Sequence, residues 1–417
     1  MSPMLLVSGA VASLISFVIA ELTARAWLRR FGSYYVWERH ARTRLVLDPS
    51  VLPKLDPVAR FDVNERGERG DPMPQLEDRT YKILVAGGSA TECYYLDQAA
   101  SWPAVMQRVL NEPEHLRALG ADRVHVGNVS RSLADTRHLC RMLAGVLPNY
   151  ERLDAIVLLV GGSDVIRWLE HRAPQVIDAK PIPASRVFAE HPEGPYGWSP
   201  RGLALRRIAK HLYMRSRRPI EVRENVGKRL ARCRAMRARA TEIIHVVPSS
   251  QPMLDHFEAN LRELVRLAST RASRVILVQQ PWFDKDYTAD EEKLMWSFSA
   301  GCPHVEEVTA YYSHALVWRL LRQVNARTAK VARDLHVEQV DLAPALDNDT
   351  ETYYDELHHT PRGCAVIGNE IARRVVRGSR TRFARSLEPD AVPAGVDRVA
   401  LPRRAAYPPG RRVRRVG

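Results

Sequence analysis

The chain has 417 residues, of which 45% are hydrophobic and 26% are charged, and this balance is typical of a globular protein with an ample core. It excludes wholesale disorder, a collagen and a membrane protein with many spans. The five cysteines lie far apart without a C-x-x-C pair, so we predict no zinc site, no disulfide framework and no cofactor.

The formal charge of +14 is unevenly distributed along the chain. Residues 201–240 contain 14 Lys and Arg against two Glu, and residues 378–417 contain ten Arg against three acidic residues. The remainder of the chain is therefore mildly acidic. The basic charge belongs to one internal segment and one tail.

Residues 3–20 form an apolar run without a charged side chain, which is about the minimum length for crossing a bilayer. We predict a single-pass transmembrane or signal-anchor helix over residues 1–30 and a membrane location. A cleavable signal peptide and a buried soluble helix are the alternatives. Three arginines follow the run, which favours a cytoplasmic domain by the positive-inside tendency but leaves the opposite side open.

After a connecting segment over residues 31–79, short β-branched runs alternate with longer amphipathic segments over residues 80–377. This pattern predicts an α/β domain with a parallel sheet and crossover helices, and the apolar strands indicate a sheet covered on both faces. Helical spacing is found over Leu254–Ala268 and Val317–Leu335. The predicted strands are Lys82–Ala86, Arg123–Val126, Ala155–Val160, Arg274–Gln279 and Val337–Leu342.

Residues 170–252 interrupt this rhythm and are interpreted as an insertion, and residues 378–417 as a basic, disordered tail. The basic part of the insertion could bind phosphates, but among its basic residues Tyr213 is the only aromatic side chain that could stack on bases. We therefore expect a solvated helical face or one that lies on anionic lipid, and no nucleic-acid partner.

The loop after the first predicted strand reads Gly87-Gly88-Ser89. The two glycines allow a tight turn, and Ser89 follows where a helix should begin, so that backbone N–H groups can stabilise negative charge there. This is a suitable place for a nucleophilic serine. The alternative is an ordinary N-cap serine.

A second candidate loop lies near the other end of the domain. Asp355 and His358 are three residues apart, which lets one loop supply a general base and its orienting carboxylate. His359 could be the base instead, although the three-residue step from Asp355 selects His358. Thr360 and Pro361 predict the start of the last helix, and capping of that helix is the alternative role of the acidic residues.

Two further loops follow strands of the predicted sheet. Gly161-Gly162-Ser163-Asp164 follows the third strand, and a loop that contains Asn128 follows the second. Each could bring a polar group or a backbone N–H towards Ser89, because the carboxyl ends of parallel strands meet at one edge.

In the order of these blocks, residues 80–377 resemble the SGNH/GDSL hydrolases. The resemblance implies a flavodoxin-like three-layer α/β/α sandwich with a five-stranded parallel sheet. It also implies that Ser89 is the nucleophile, His358 the general base and Asp355 the acid member of a triad. The N-terminal helix and residues 61–70 look like the leader of membrane-linked members of the group.

Two positions depart from the pattern of that family. Ser163 stands where the family has an asparagine that donates to the oxyanion, and Asn128 replaces a glycine whose N–H does so. The resemblance implies an oxyanion hole formed by Ser89, Asn128 and Ser163. A hydroxyl can replace the amide, and a backbone N–H survives the change to Asn128 if the loop keeps its shape.

The sequence thus predicts a serine ester hydrolase that acts through an acyl-enzyme on Ser89, with an acyl ester of a small molecule, a lipid or a carbohydrate as substrate. An O-acyltransferase would use the same triad. A non-catalytic binding protein with a degraded oxyanion hole is the third hypothesis.

Overall fold

A parallel five-stranded sheet forms the centre of the computed structural model, which describes residues 3–74, 79–178, 180–193, 196–215, 220–223 and 226–386. The strand order is β10-β8-β5-β3-β4, and all four pairs are parallel. The strands are β3 (Thr80–Gly87), β4 (Arg123–Asn128), β5 (Ala155–Val160), β8 (Val275–Gln279) and β10 (Glu338–Val340).

Helices cover both faces of this sheet, and alternate strand residues face the two sides. Leu84 and Leu158 pack in one core with helices α5, α6, α10 and α12, whereas Ile83 and Val157 pack in a second core with α3 and α13. The predicted three-layer α/β/α sandwich is therefore confirmed. These helices are α3 (Trp102–Leu110), α5 (Thr136–Val146), α6 (Gly162–Glu170), α10 (Gln251–Ser269), α12 (His314–Asp334) and α13 (Pro361–Ser386).

All five predicted strands occur, with bounds that differ by up to two residues at an end. The short helices α2 (Ser89–Glu92), α4 (Pro113–Leu119), α7 (Ala184–Val187) and α11 (Ala289–Glu292) lie in the connections. Two small sheets were not predicted. One joins β1 (Arg42–Val46), β2 (Val58–Asp62) and β6 (Ile220–Arg223), and the other joins β7 (Glu242–Ile244) and β9 (Ala310–Tyr312).

Regular elements occur in three segments that the sequence analysis described as a connection, an insertion and a tail. The expected connecting segment 31–79 contains β1 and β2, so it is part of the folded domain. The insertion 170–252 contains α7, α8 (Ala204–Arg215), β6, α9 (Val226–Ala238) and β7. The last helix continues to Ser386, beyond the expected start of the tail, and residues 387–417 lie outside the described residues.

Helix α1 (Pro3–Phe31) packs against the domain only through its C-terminal part. The buried Glu21 carboxylate accepts hydrogen bonds from the N–H groups of Ala204 and Leu205 at 2.8 and 3.0 Å, and so caps helix α8. Ala24 is buried beside Ala204 and Tyr196. Towards the N-terminus, large apolar side chains are exposed: Val7, Val11, Leu14, Ile15, Phe17 and Ile19. Among the described helices, α1 alone is long and apolar enough to cross a bilayer.

Candidate active site

Ser89 lies where strand β3 turns into helix α2. The strand ends at Gly87, and Ser89 is the first residue of the helix. The first N–H groups of a helix have no acceptor within it, so the N–H of Ser89 is not used inside the helix. Ser89 thus lies at the start of a helix, where the sequence analysis placed it.

His358 and Asp355 converge on this serine from the loop before α13. The Ser89 hydroxyl is 2.7 Å from His358 Nε2, and His358 Nδ1 is 2.7 and 2.8 Å from the two carboxylate oxygens of Asp355. The backbone N–H of His358 also donates to Asp355 Oδ1, at 2.9 Å. Ser89 and His358 are 269 residues apart in the chain, so it is the fold that joins them.

The buried carboxylate and the imidazole shift each other's pKa. Burial raises the pKa of Asp355, but the charge and hydrogen bond of His358, together with the donors Trp296 and Leu357, outweigh it and lower the pKa to about 2. Burial lowers the pKa of His358, but the charge and hydrogen bond of Asp355 outweigh it, so this pKa lies above its ordinary value. Asp355 is thus an anion at neutral pH, and His358 is a stronger base than a free imidazole.

His359, the alternative base, does not face the serine hydroxyl. Its ring is buried 4.8 Å from the Tyr353 ring, and neither ring nitrogen has a hydrogen-bond partner among the described residues. Burial and the neighbouring His358 lower the pKa of His359 to about 3. The geometry therefore selects His358.

Ser163 lies beside the turn that carries Ser89. It is the second residue of α6, and a Cβ built at Gly88 would lie only 2.5 Å from the Ser163 hydroxyl oxygen. The preceding Gly161 has φ +114°, a conformation that side-chain-bearing residues rarely adopt. A cavity of about 10 Å³ between the two turns, lined in part by Gly88, Ser89, Gly162 and Ser163, has room for about one water molecule.

Asn128 departs from its predicted role, because both kinds of donor in this residue have other acceptors. Its backbone N–H donates to the Arg69 carbonyl at 3.1 Å, and its side-chain amide donates to the Thr91 carbonyl at 2.8 Å. The reason is a β-bridge with Arg69 that extends the edge of the sheet at β4. Asn128 therefore anchors the end of α2 instead of facing the cavity.

Sequence reasoning missed two residues that support the triad. The buried guanidinium of Arg69 donates to the carbonyls of Glu92, Cys93 and Leu96 at 2.6 to 2.7 Å, and so holds the short helix that begins at Ser89. Trp296 Nε1 donates to Asp355 Oδ2 at 2.9 Å. Arg69 lies in residues 61–70, which the sequence analysis had noted, but no sequence signal marks Trp296.

Among the described residues, three side chains of the types that can bind a metal ion lie close together at one place. Glu112, Glu114 and His115 lie at the start of α4, where both carboxylates are exposed. None of the three belongs to the group around Ser89.

No family model matches the sequence, and no curated protein matches it significantly. Solved structures are similar to it at low identity. Axe2, an acetylxylan esterase from Geobacillus stearothermophilus, is 14% identical, with 71% of this chain and 94% of that chain covered and a TM-score of 0.38. A putative lipolytic protein of the G-D-S-L family from Desulfitobacterium hafniense is 13% identical, with 70% and 98% covered and a TM-score of 0.35. At such TM-scores the likenesses carry no argument about chemistry.

Proposed function

We propose that the protein is a serine ester hydrolase with Ser89 as nucleophile, His358 as general base and Asp355 as the carboxylate that orients the imidazole. One observation carries the proposal. A serine hydroxyl at the start of a helix lies 2.7 Å from an imidazole nitrogen, and the other nitrogen of the same ring faces a buried carboxylate. This is the arrangement by which proteins activate a weakly nucleophilic hydroxyl.

The proposed reaction has two halves. Ser89 Oγ attacks the ester carbonyl while His358 Nε2 takes the hydroxyl proton, and the imidazolium then gives this proton to the leaving alcohol. Water attacks the acyl-enzyme with His358 again as base, and the acid product leaves with Ser89 restored. Asp355 stays ionised throughout, holds the Nδ1–H tautomer and stabilises the imidazolium.

The developing oxyanion would lie in the small cavity between the two turns. Its donors would be the N–H of Ser89 and the hydroxyl of Ser163, which lines the same cavity. Asn128 is not included, since its donors are used elsewhere. The volume of about 10 Å³ suits an oxygen atom or a single small group. The acyl ester could be that of a small molecule, a lipid or a carbohydrate.

We further propose that α1 anchors the protein in a membrane. This is supported by the exposed apolar side chains between Val7 and Ile19 and by the docking of Glu21 and Ala24 on the domain near α8. Such docking would keep the domain close to the bilayer surface. Basic residues between positions 201 and 240 could then lie near anionic headgroups.

The hydrolase proposal is tested by turnover of short p-nitrophenyl esters by the full chain and by Ser89→Ala. We expect measurable hydrolysis by the wild type and a loss on the order of 10⁴-fold or more in the variant, because the nucleophile is removed. Thermal unfolding of both proteins checks that the variant is folded. Equal turnover by the two proteins would contradict the assignment.

A further inference from the structure

The loop between β8 and β9 reaches the carboxylate of the triad. This loop contains Trp296, whose indole Nε1 donates to Asp355 Oδ2 at 2.9 Å. The indole ring is nearly parallel to the His358 ring, with 8° between the planes and 6.4 Å between the centroids. Trp296 is partly exposed, whereas Asp355 is buried. The indole therefore stands at the outer edge of the Asp355–His358 pair.

The two oxygens of Asp355 are held in different ways. Oδ1 accepts hydrogen bonds from the backbone N–H groups of Leu357 and His358, which belong to the same loop. Oδ2 lies 2.8 Å from His358 Nδ1 and accepts from Trp296. Among the described residues, Trp296 is thus the only donor to Asp355 that comes from outside its own loop.

The backbone around Trp296 is fixed by charged side chains. The buried Glu356 accepts the N–H groups of Trp296 and Ser297 on its Oε1, at 2.9 and 2.8 Å. Arg234 Nε donates to the Leu294 carbonyl at 3.0 Å, and Arg237 Nη1 donates to the Ser297 carbonyl at 2.9 Å. Both arginines come from α9. Their hydrogen bonds on both sides of Trp296 hold the backbone that carries the indole.

We propose that Trp296 is a positioning residue of the triad, which fixes the second oxygen of Asp355 and disperses its charge. This inference rests on the proposed function of the site. An N–H donor stabilises an ionised carboxylate and takes up part of its charge, so the imidazolium opposite experiences a weaker anion. The indole is also one of the donors that lower the pKa of Asp355.

Trp296→Phe removes the N–H and keeps an aromatic ring in place. Without the donor, Oδ2 carries more charge towards His358, so the pKa of His358 rises further above its ordinary value. Because the base must be neutral, we expect the acid limb of the kcat/KM profile to move to higher pH. We also expect kcat to fall roughly tenfold, because a less well fixed Asp355 orients the imidazole less well.

Trp318→Phe is the matched control. The Trp318 ring is also packed in the protein, but its Nε1 is buried without a hydrogen-bond partner among the described residues, so this change removes an N–H that has no acceptor. A general loss of packing would lower kcat or the melting temperature without moving the acid limb. We expect the acid limb of the Trp318→Phe profile to coincide with that of the wild type.

An NMR titration of the His358 ring in the same proteins measures the pKa of His358 without any substrate. A higher His358 pKa in Trp296→Phe than in Trp318→Phe supports the proposal, and an equal or lower one overturns it. If the wild type hydrolyses no ester, the proposed function fails while the titration still decides the role of Trp296. Trp296→Leu, which also lacks a donor, replaces Trp296→Phe if the latter does not fold.

Discussion

Two turns of this protein have the same sequence, Gly-Gly-Ser, and they place their serines in different surroundings. Gly87-Gly88-Ser89 ends β3, and Gly161-Gly162-Ser163 ends its neighbour β5, so both turns lie at the carboxyl edge of the sheet. Ser89 faces His358 at 2.7 Å, whereas the Ser163 hydroxyl lies against Gly88. The turn therefore provides a place for a serine, and the loop before the last helix brings an imidazole to Ser89.

The two turns also differ in how the following helix is held. Helix α6 has nine residues and packs in the core through Val165 and Leu169. Helix α2 has only four residues, and it is followed by Cys93, whose φ is +52°. A helix this short has little stability of its own, so the hydrogen bonds that Arg69 and Asn128 make to its carbonyls keep Ser89 in place.

The largest expected effect comes from removing His358, which faces the serine of the first turn. We expect His358→Ala to lower kcat on the order of 10⁴-fold or more, since the serine loses its base. His359→Phe, which keeps the ring beside Tyr353, is expected to change kcat by no more than about twofold, because His359 has no contact with the reacting atoms in the described structure. Ester hydrolysis and thermal unfolding of both variants provide the measurements. A larger loss of activity in His359→Phe than in His358→Ala would reverse the assignment.

A smaller loss of activity is expected when the serine of the second turn is substituted. If the Ser163 hydroxyl donates to the oxyanion, Ser163→Ala should lower kcat by about 10- to 100-fold, somewhat less than the loss of a well-fixed amide donor. The matched control is Ser130→Ala, because the Ser130 hydroxyl is buried without a hydrogen-bond partner among the described residues. Single-turnover kinetics of the two variants would separate them. Equal rates would mean that backbone N–H groups alone stabilise the oxyanion.

The sequence predicted the elements that depend on short-range patterns. Strand β5 was predicted with its observed bounds, because six consecutive apolar residues are typical of a central strand buried on both faces. The turn at Ser89 and the Asp355–His358 step were also predicted from local spacing. That they form one site was implied by the resemblance in the order of the blocks, and spacing within one segment does not show it.

Contacts between distant segments could not be predicted in this way. The basic stretch 201–240 was interpreted as a solvated or lipid-facing surface, yet Arg234 and Arg237 point inward and bind carbonyls of the loop that carries Trp296. The charge of an arginine says nothing about which acceptor it will meet. Likewise, the backbone N–H of Asn128 donates to the carbonyl of Arg69, with which it forms a β-bridge. Arg69 belongs to a segment that had been interpreted as a connection.

Covalent labelling with a fluorophosphonate probe, followed by mass spectrometry of the peptides, tests the central claim most directly. Such a probe reacts with a serine hydroxyl that has an activating base, so it distinguishes the two Gly-Gly-Ser turns in one protein. We predict an adduct on the peptide that contains Ser89, none on the peptide that contains Ser163, and no adduct on either peptide in Ser89→Ala or His358→Ala. A folded wild-type protein that is unlabelled at Ser89, or labelled at Ser163, would contradict the account.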